Sequence, residues 1–210
     1  MEPGKTGAAL LRSHIALRIR CRWLLLIALA ACAVAPVPAR AQQLVIELDP
    51  ATTQVQFTLD AFLHTVHGTF KLKQGRIEID PATGQAGGRL VIDATSGNTD
   101  NDGRDNKMHK DVLESGKYPE ITFAPTHVQG PIAPQGKSQV QLQGIIGLHG
   151  REQNITVQVD VQITGNEWSG ETSFPVPYVK WGLKNPSTLF LRVKDTVDLT
   201  VRAAGRLSQP

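Results

Sequence analysis

The sequence predicts an all-β chain, an antiparallel sheet closed as a barrel or stacked as a sandwich, with one short helix near residues 105–115. Three observations carry this. Apolar and polar residues alternate with period two in many short stretches between Leu44 and Val201, as strands with one buried face require. Turn-forming pairs such as Asp49-Pro50, Asp80-Pro81 and Gly165-Asn166 punctuate those stretches. No long helical segment separates consecutive strands, which argues against a parallel βαβ sheet.

Taken in order, residues 1–41 stand outside the fold. Arg12, Arg18, Arg20 and Arg22 precede an apolar run from Trp23 to Ala35, and Ala39-Arg40-Ala41 follows. Basic, apolar and small-residue regions in that order read as a secretory signal cleaved after Ala41. The expected domains are therefore a signal peptide at 1–41 and one β domain at 42–210. Localisation is expected to be periplasmic or secreted. A competing reading takes Leu29-Ala30-Ala31-Cys32 as a lipobox, which would anchor the protein through a lipidated Cys32.

From Leu44 the strands begin. Val45 to Leu48 leads to the Asp49-Pro50 turn, and Val55, Phe57 and Leu59 alternate with Gln56 and Thr58. Phe70 and Leu72, Ile77 and Ile79, and Leu90 and Ile92 continue the pattern. Strand signals resume at Ile121–Phe123 and again around Val128. Val140 and Leu142 alternate with glutamines, and Ile155, Val157, Val159, Val161 and Ile163 form one unbroken apolar face. The turn Gly165-Asn166 returns the chain through Trp168 toward Phe174. Leu189, Leu191 and Val193 read as one further strand, and Val197, Leu199 and Val201 as the last.

The helix is the exception mid-chain. Met108 and Val112 stand four apart with Leu113 beside them, giving one apolar side. Asp102 and Asp105 suit a helix start, where carboxylates accept from free N–H groups. Gly116 is the expected stop and Pro119 forbids continuation. A lone helix in a β chain is expected to cover an opening.

Composition narrows the function. The chain has 22 Lys and Arg against 19 Asp and Glu, but residues 1–41 hold six of the basic and one of the acidic residues. The remainder stands at 16 against 18, so its charge gives no support for nucleic-acid binding, and no nucleic-acid partner is expected. Both cysteines, Cys21 and Cys32, lie before Ala41, leaving the β domain without a disulfide, thiol nucleophile or thiolate metal site.

Motifs for chemistry are sparse. His64 and His67 are three apart, which on a strand puts them on opposite faces and argues against a shared metal. Asp100, Asp102, Asp105 and Asp111 cluster at the helix, where capping and solvation account for them. The chain has no nucleophile elbow, zincin helix, Walker loop or dinucleotide fingerprint. No catalytic residue, metal or cofactor is expected. Alternation alone leaves open whether the interior is a packed core or a cavity.

The chain from about Leu44 to Leu207 resembles the YceI-like, polyisoprenoid-binding proteins. The residues that carry the likeness are Leu48-Asp49-Pro50, Val55-Gln56-Phe57 and Gly68-Thr69-Phe70, then Gly75 to Asp80 and Arg104-Asp105. Tyr118-Pro119-Glu120-Ile121-Thr122-Phe123 and Leu148-His149-Gly150 complete the set. Two positions depart from the pattern: Asp60-Ala61-Phe62 lacks a family histidine, and Lys107 stands where another is usual. The resemblance implies a lipocalin-like antiparallel β-barrel of about eight strands whose interior takes an isoprenoid or similar tail. The implied function is an exported, non-catalytic carrier or sequestering protein. An isoprenoid quinone or fatty-acid derivative is the expected ligand. Membrane contact would be transient or through a lipidated Cys32, and the oligomeric state is left open. Expected lining residues are Phe57, Phe70, Ile77, Leu90, Ile92, Met108, Val112, Phe123, Val140, Leu142 and Val159. Two alternatives stand beside this: a filled-core structural or stress-response interaction module, and a lipid-modifying enzyme using His109 or Asp105.

Overall fold

Strand formation dominates the described residues, 43–62, 64–189 and 192–208 of a computed structural model. Nine strands form: β1 Leu44–Leu48, β2 Gln54–Asp60, β3 Thr65–Ile79, β4 Ala86–Asn98, β5 Glu120–Gln129, β6 Gly136–Leu148, β7 Arg151–Thr164, β8 Glu167–Val176 and β9 Val197–Ser208. The expected signal, its cleavage site and Cys32 lie outside the described residues.

All pairings are antiparallel, and the sheet closes. From β2 the order runs through β9, β8, β7, β6, β5, β4 and β3 and returns to β2. β1 fills the same gap as β2, pairing with the far half of β3 and the end of β9. These two short strands act as one, broken by the turn at Asp49–Thr53. The result is a closed eight-strand barrel with one short helix, in which β7 and β8 pair only through Asp160–Thr164 and Glu167–Glu171. The barrel, rather than the sandwich, is the arrangement the alternation encodes.

Local chemistry sets the corners. His149 and Gly150 join β6 to β7 with φ of 53° and 71°, the two left-handed residues that a tight hairpin of matching twist needs. β5 runs unbroken through the two short signals read separately in the sequence. The interruption is a register shift between Pro125 and His127, where proline cannot donate to the ladder.

The helix, α1, spans Asp102–Lys107 and widens into a π turn over Met108–Val112. Its cap is Asn101, whose side chain accepts from the Arg104 amide at 2.9 Å. The residue that ends it in left-handed conformation is Glu114, with φ 45°, and not the expected Gly116. Glu114 is held there because its carbonyl accepts from Lys117 and Tyr118, and its carboxylate meets His149 Nε2 at 2.6 Å.

Of the strand expected at Leu189–Val193, the described residues 189, 192 and 193 belong to no named strand. Leu189 lies in a loop, Val193 makes a single bridge to Ala61 and Leu191 lies outside the described residues. Side chains take up the backbone groups that a neighbouring strand would bond. Asn185 Nδ2 donates to the Val193 carbonyl at 3.1 Å, and Ser187 Oγ accepts from the Val193 amide at 2.9 Å.

Candidate functional site

The inward side chains do not fill the barrel evenly. A cavity of about 390 Å³ lies under α1, and a smaller one of about 120 Å³ lies toward the other end. Between them stands a layer that lines neither: Val55, Leu72, Ile92, Phe123, Val157 and Phe174. Its place follows from chain order. Val55 lies between Leu48 of the smaller cavity and Phe57 of the larger. Ile92 follows Leu90 of the smaller and pairs with Ile121 of the larger. Phe174 falls between Thr172 and Val176 in the same way. This layer is a floor.

Three aromatic rings rest against glycines of neighbouring strands. A Cβ on Gly144 would sit 2.5 Å from the Phe123 ring, one on Gly97 would sit 2.7 Å from the Phe70 ring, and one on Gly68 would overlap the Phe57 ring. The missing side chains let the rings rest on the wall. Phe57 and Phe70 then pack on each other, tilted by 36° with centroids 5.2 Å apart.

α1 covers the larger cavity. Met108, Val112 and Leu113 all line it, which is the inward side that their spacing predicts. Met108 Cε fits against Gly97, where a Cβ would approach within 2.7 Å. Two polar anchors hold the helix. His109 Nε2 lies 2.9 Å from the Gly97 carbonyl and Nδ1 3.0 Å from Ser115 Oγ; the carbonyl only accepts, so Nε2 donates to it. Asp105 accepts from the Thr99 amide and hydroxyl, the latter at 2.5 Å. Burial pushes the Asp105 pKa up, but those two bonds and the neighbouring Arg104 outweigh it and hold it below the ordinary aspartate value.

The charged side chains that line the cavity are of one sign. Arg104 and Lys107 are the charged lining residues, joined by the His64 imidazole, and among the described residues no carboxylate lines the cavity. Arg104 donates from Nε and Nη2 to Thr99, both at 2.7 Å, and Lys107 Nζ donates to the Pro186 carbonyl at 3.0 Å. Tyr178 closes the opposite wall, its hydroxyl donating to the Lys194 carbonyl at 2.7 Å. Burial, with Asp195 nearby, pushes its pKa up to about 12. Chemically, the arrangement can take an apolar chain out of water and present two cations to a polar end.

His64 and His67 do not converge. His64 lines the cavity, whereas His67 is exposed and meets Thr58 Oγ1 at 3.1 Å. Among the described residues no group of three or more His, Cys, Asp or Glu is placed to hold a metal ion.

A YceI-like domain model matches residues 47–204. The chain belongs to the YceI-like family. Curated relatives include UPF0312 proteins of Vibrio cholerae, 25% identical over 186 residues, covering 87% of this chain and 96% of theirs. Burkholderia cenocepacia BcnA superposes with a TM-score of 0.62 at 17% identity, covering 75% of this chain and 99% of that one. A Saccharophagus degradans domain, described as polyisoprenoid-binding and implicated in plant cell wall breakdown, gives 0.55 at 17%, covering 81% and 100%. At such identities these structures show a shared fold.

Two segments that carry the YceI-like resemblance meet in space. The Tyr118 ring packs on the His149 ring with centroids 4.4 Å apart, and a Cβ on Gly150 would sit 2.7 Å from Tyr118. With Glu114 bonded to His149, this corner ties the end of the helical segment to the β6–β7 hairpin. Of the expected lining residues, Phe57, Phe70, Met108 and Val112 come together in the larger cavity. Ile77, Leu90, Val140, Leu142 and Val159 line the smaller one, and Ile92 and Phe123 belong to the floor. Leu59, Ile146, Leu148, Val197 and Leu199 also line the larger cavity. The alternation of Leu59, Val197 and Leu199 was visible in the sequence, but nothing in it said which end of the barrel stays open. Tyr178 and Leu183 carry no such signal, because the chain beyond β8 leaves the sheet.

Proposed function

We propose that the protein binds a single-tailed amphiphile, an isoprenoid or long-chain fatty-acid derivative, with the tail in the larger cavity and the head at the rim beside Arg104 and Lys107. The observation that carries this reading is the 390 Å³ cavity, walled by aliphatic and aromatic side chains and bordered by cations. Such a site suits a ligand that is apolar over most of its length and polar at one end. The polyisoprenoid-binding description of the Saccharophagus domain supports the same class of ligand. The protein acts as an exported carrier or sequestering protein and performs no chemistry on its ligand. Export is supported by the basic, apolar and small-residue order of residues 1–41.

Burial of a tail contributes about 0.8 kcal/mol per CH₂. About eight carbons give roughly 6 kcal/mol before ordering costs, enough to hold a ligand that water poorly solvates. Native mass spectrometry of protein purified from its own host is the test. A ligand-bound species that yields an extractable lipid is expected. Cleanly apo protein with no extractable lipid sinks the reading.

A further inference from the structure

Among the described residues the large apolar side chains left in water are Phe62 and Leu189, 81% and 96% exposed. Both sit on the rim of the larger cavity. Phe62 lies between Ala61 and His64, which line it, and Leu189 lies between Pro186 and Val193, which also line it. Their two segments are stitched together. Ala61 bridges to Val193, the Phe62 amide donates to the Arg192 carbonyl at 2.9 Å, and the Lys194 amide donates to the Asp60 carbonyl at 3.0 Å. Two exposed apolar side chains on bonded neighbouring segments mark a contact surface more than chance exposure does.

Charge says what the contact is. The sequence from 177 to 194 carries Lys180, Lys184, Arg192 and Lys194 and no acidic residue. Lys194 is neutralised by Asp60 at 2.7 Å, while Lys180, Lys184 and Arg192 are exposed. On the helix side Lys107 and Lys110 are exposed as well. Apolar tips on segments that carry exposed cations, with Asp195 the acidic residue next in the chain and bonded by Asn185, match an anionic bilayer surface: the tips enter the boundary between headgroups and acyl chains, and the cations remain among the headgroups.

We infer that the rim formed by the β2–β3 loop and the segment around Leu189 docks this end of the barrel onto anionic phospholipid bilayers. Docking points the cavity mouth at the membrane, so a tail passes between bilayer and barrel without crossing water. The docking itself needs only these residues; delivery of a tail additionally rests on the function proposed above.

The test is sedimentation with sucrose-loaded vesicles, using the full chain and, in parallel, the chain beginning at Gln42, so that residues 1–41 do not mask the effect. Binding to phosphatidylcholine–phosphatidylglycerol vesicles is expected to exceed binding to pure phosphatidylcholine and to weaken as salt is added. The double substitution Phe62→Ser, Leu189→Ser is expected to lower the partition coefficient about tenfold or more. Lys184→Gln with Arg192→Gln is expected to act similarly on anionic vesicles alone. All four positions are exposed, so thermal unfolding should be unchanged. Uptake of a soluble alkyl carboxylate should also be unchanged in the serine variant. Equal partition of the serine variant and the parent chain overturns the proposal. So does dimerisation that the serine variant abolishes without vesicle binding, since the patch would then be a self-association face. Vesicle binding without alkyl carboxylate uptake leaves the docking standing and removes the function proposed above.

Discussion

Opening the floor between the two cavities should lengthen the tail that the barrel accepts. On β2 the lining of the larger cavity runs from Phe57 to Ala61, four residue steps of about 3.3 Å or about 13 Å along the strand. Strands in such barrels tilt by about 40°, which leaves about 10 Å of depth along the axis. A zigzag of carbon–carbon bonds of about 1.5 Å advances about 1.3 Å per carbon, so about eight carbons reach the floor. Each contributes about 0.8 kcal/mol, or about fourfold in Kd. Titration of a series of alkyl carboxylates should therefore show affinity rising about fourfold per carbon and flattening near eight buried carbons. Phe123→Ala removes a ring that rests against Gly144 and opens the way to the 120 Å³ cavity. The plateau should then move to longer chains. The substitution costs about 3–5 kcal/mol of stability, so Phe123→Leu serves as the milder variant. A parental series with no break up to long chains refutes the floor. So does an unmoved plateau in a variant shown by circular dichroism to be folded.

Three further outcomes follow from the same structure. Val176→Trp, in the larger cavity, should block uptake, whereas Val159→Trp, in the smaller one, should leave short tails bound and cost about 1–3 kcal/mol through overpacking; paired calorimetry and thermal unfolding read both. Asn101→Ala removes the cap that receives the Arg104 amide and should cost about 1 kcal/mol, seen as faster amide exchange over 102–108. Asp105 and Asp60 both have pKa values held below the ordinary 3.8, the first by Thr99 against the effect of burial and the second chiefly by Lys194. A depressed folded value means that their stabilisation is complete above the unfolded value and lost as pH falls through the folded one. Protection of the Thr99 amide should thus be constant near neutral pH and decline below about pH 4, and Asp105→Asn should flatten that decline.

The barrel was legible because its signal repeats. Val55-Gln56-Phe57 and the run from Ile155 to Ile163 each alternate without interruption, and in an antiparallel sheet the buried face is that alternation. The helix was legible from Met108, Val112 and Leu113, because their spacing and their burial express one geometry. Other features are set by neighbours distant in sequence. Leu189 to Val193 alternates like a strand, yet Asn185 and Ser187 bond the backbone of Val193. Gly116 has the residue type for a helix stop, but His149 on a distant hairpin holds Glu114 in that role. The division of the interior was hidden for a further reason. Ile92 and Leu90 look alike in sequence, and only the stagger of the closed sheet sends one to the floor and the other to the smaller cavity.

That division depends on where the rings lie, and the glycines beneath them decide it. A phenyl ring aimed at the axis of an eight-strand barrel would occupy much of the lumen. Phe57 instead lies over Gly68, its register partner on β3. Gly68→Ala places a methyl group where the ring now rests and where the Asn98 carbonyl would be 2.8 Å away. The backbone oxygen is fixed in the sheet, so the ring is the group that yields, and the space open to it is the larger cavity. The substitution should cost about 1–3 kcal/mol through overpacking and should also weaken tail binding, because the displaced ring takes the tail's place. A filled-core protein would show the first effect alone. Thermal unfolding and alkyl carboxylate titration on the same sample separate them: lost stability with unchanged affinity in a folded barrel would mean that the glycines only relieve crowding in the wall, whereas loss of both identifies them as the residues that keep the lumen open.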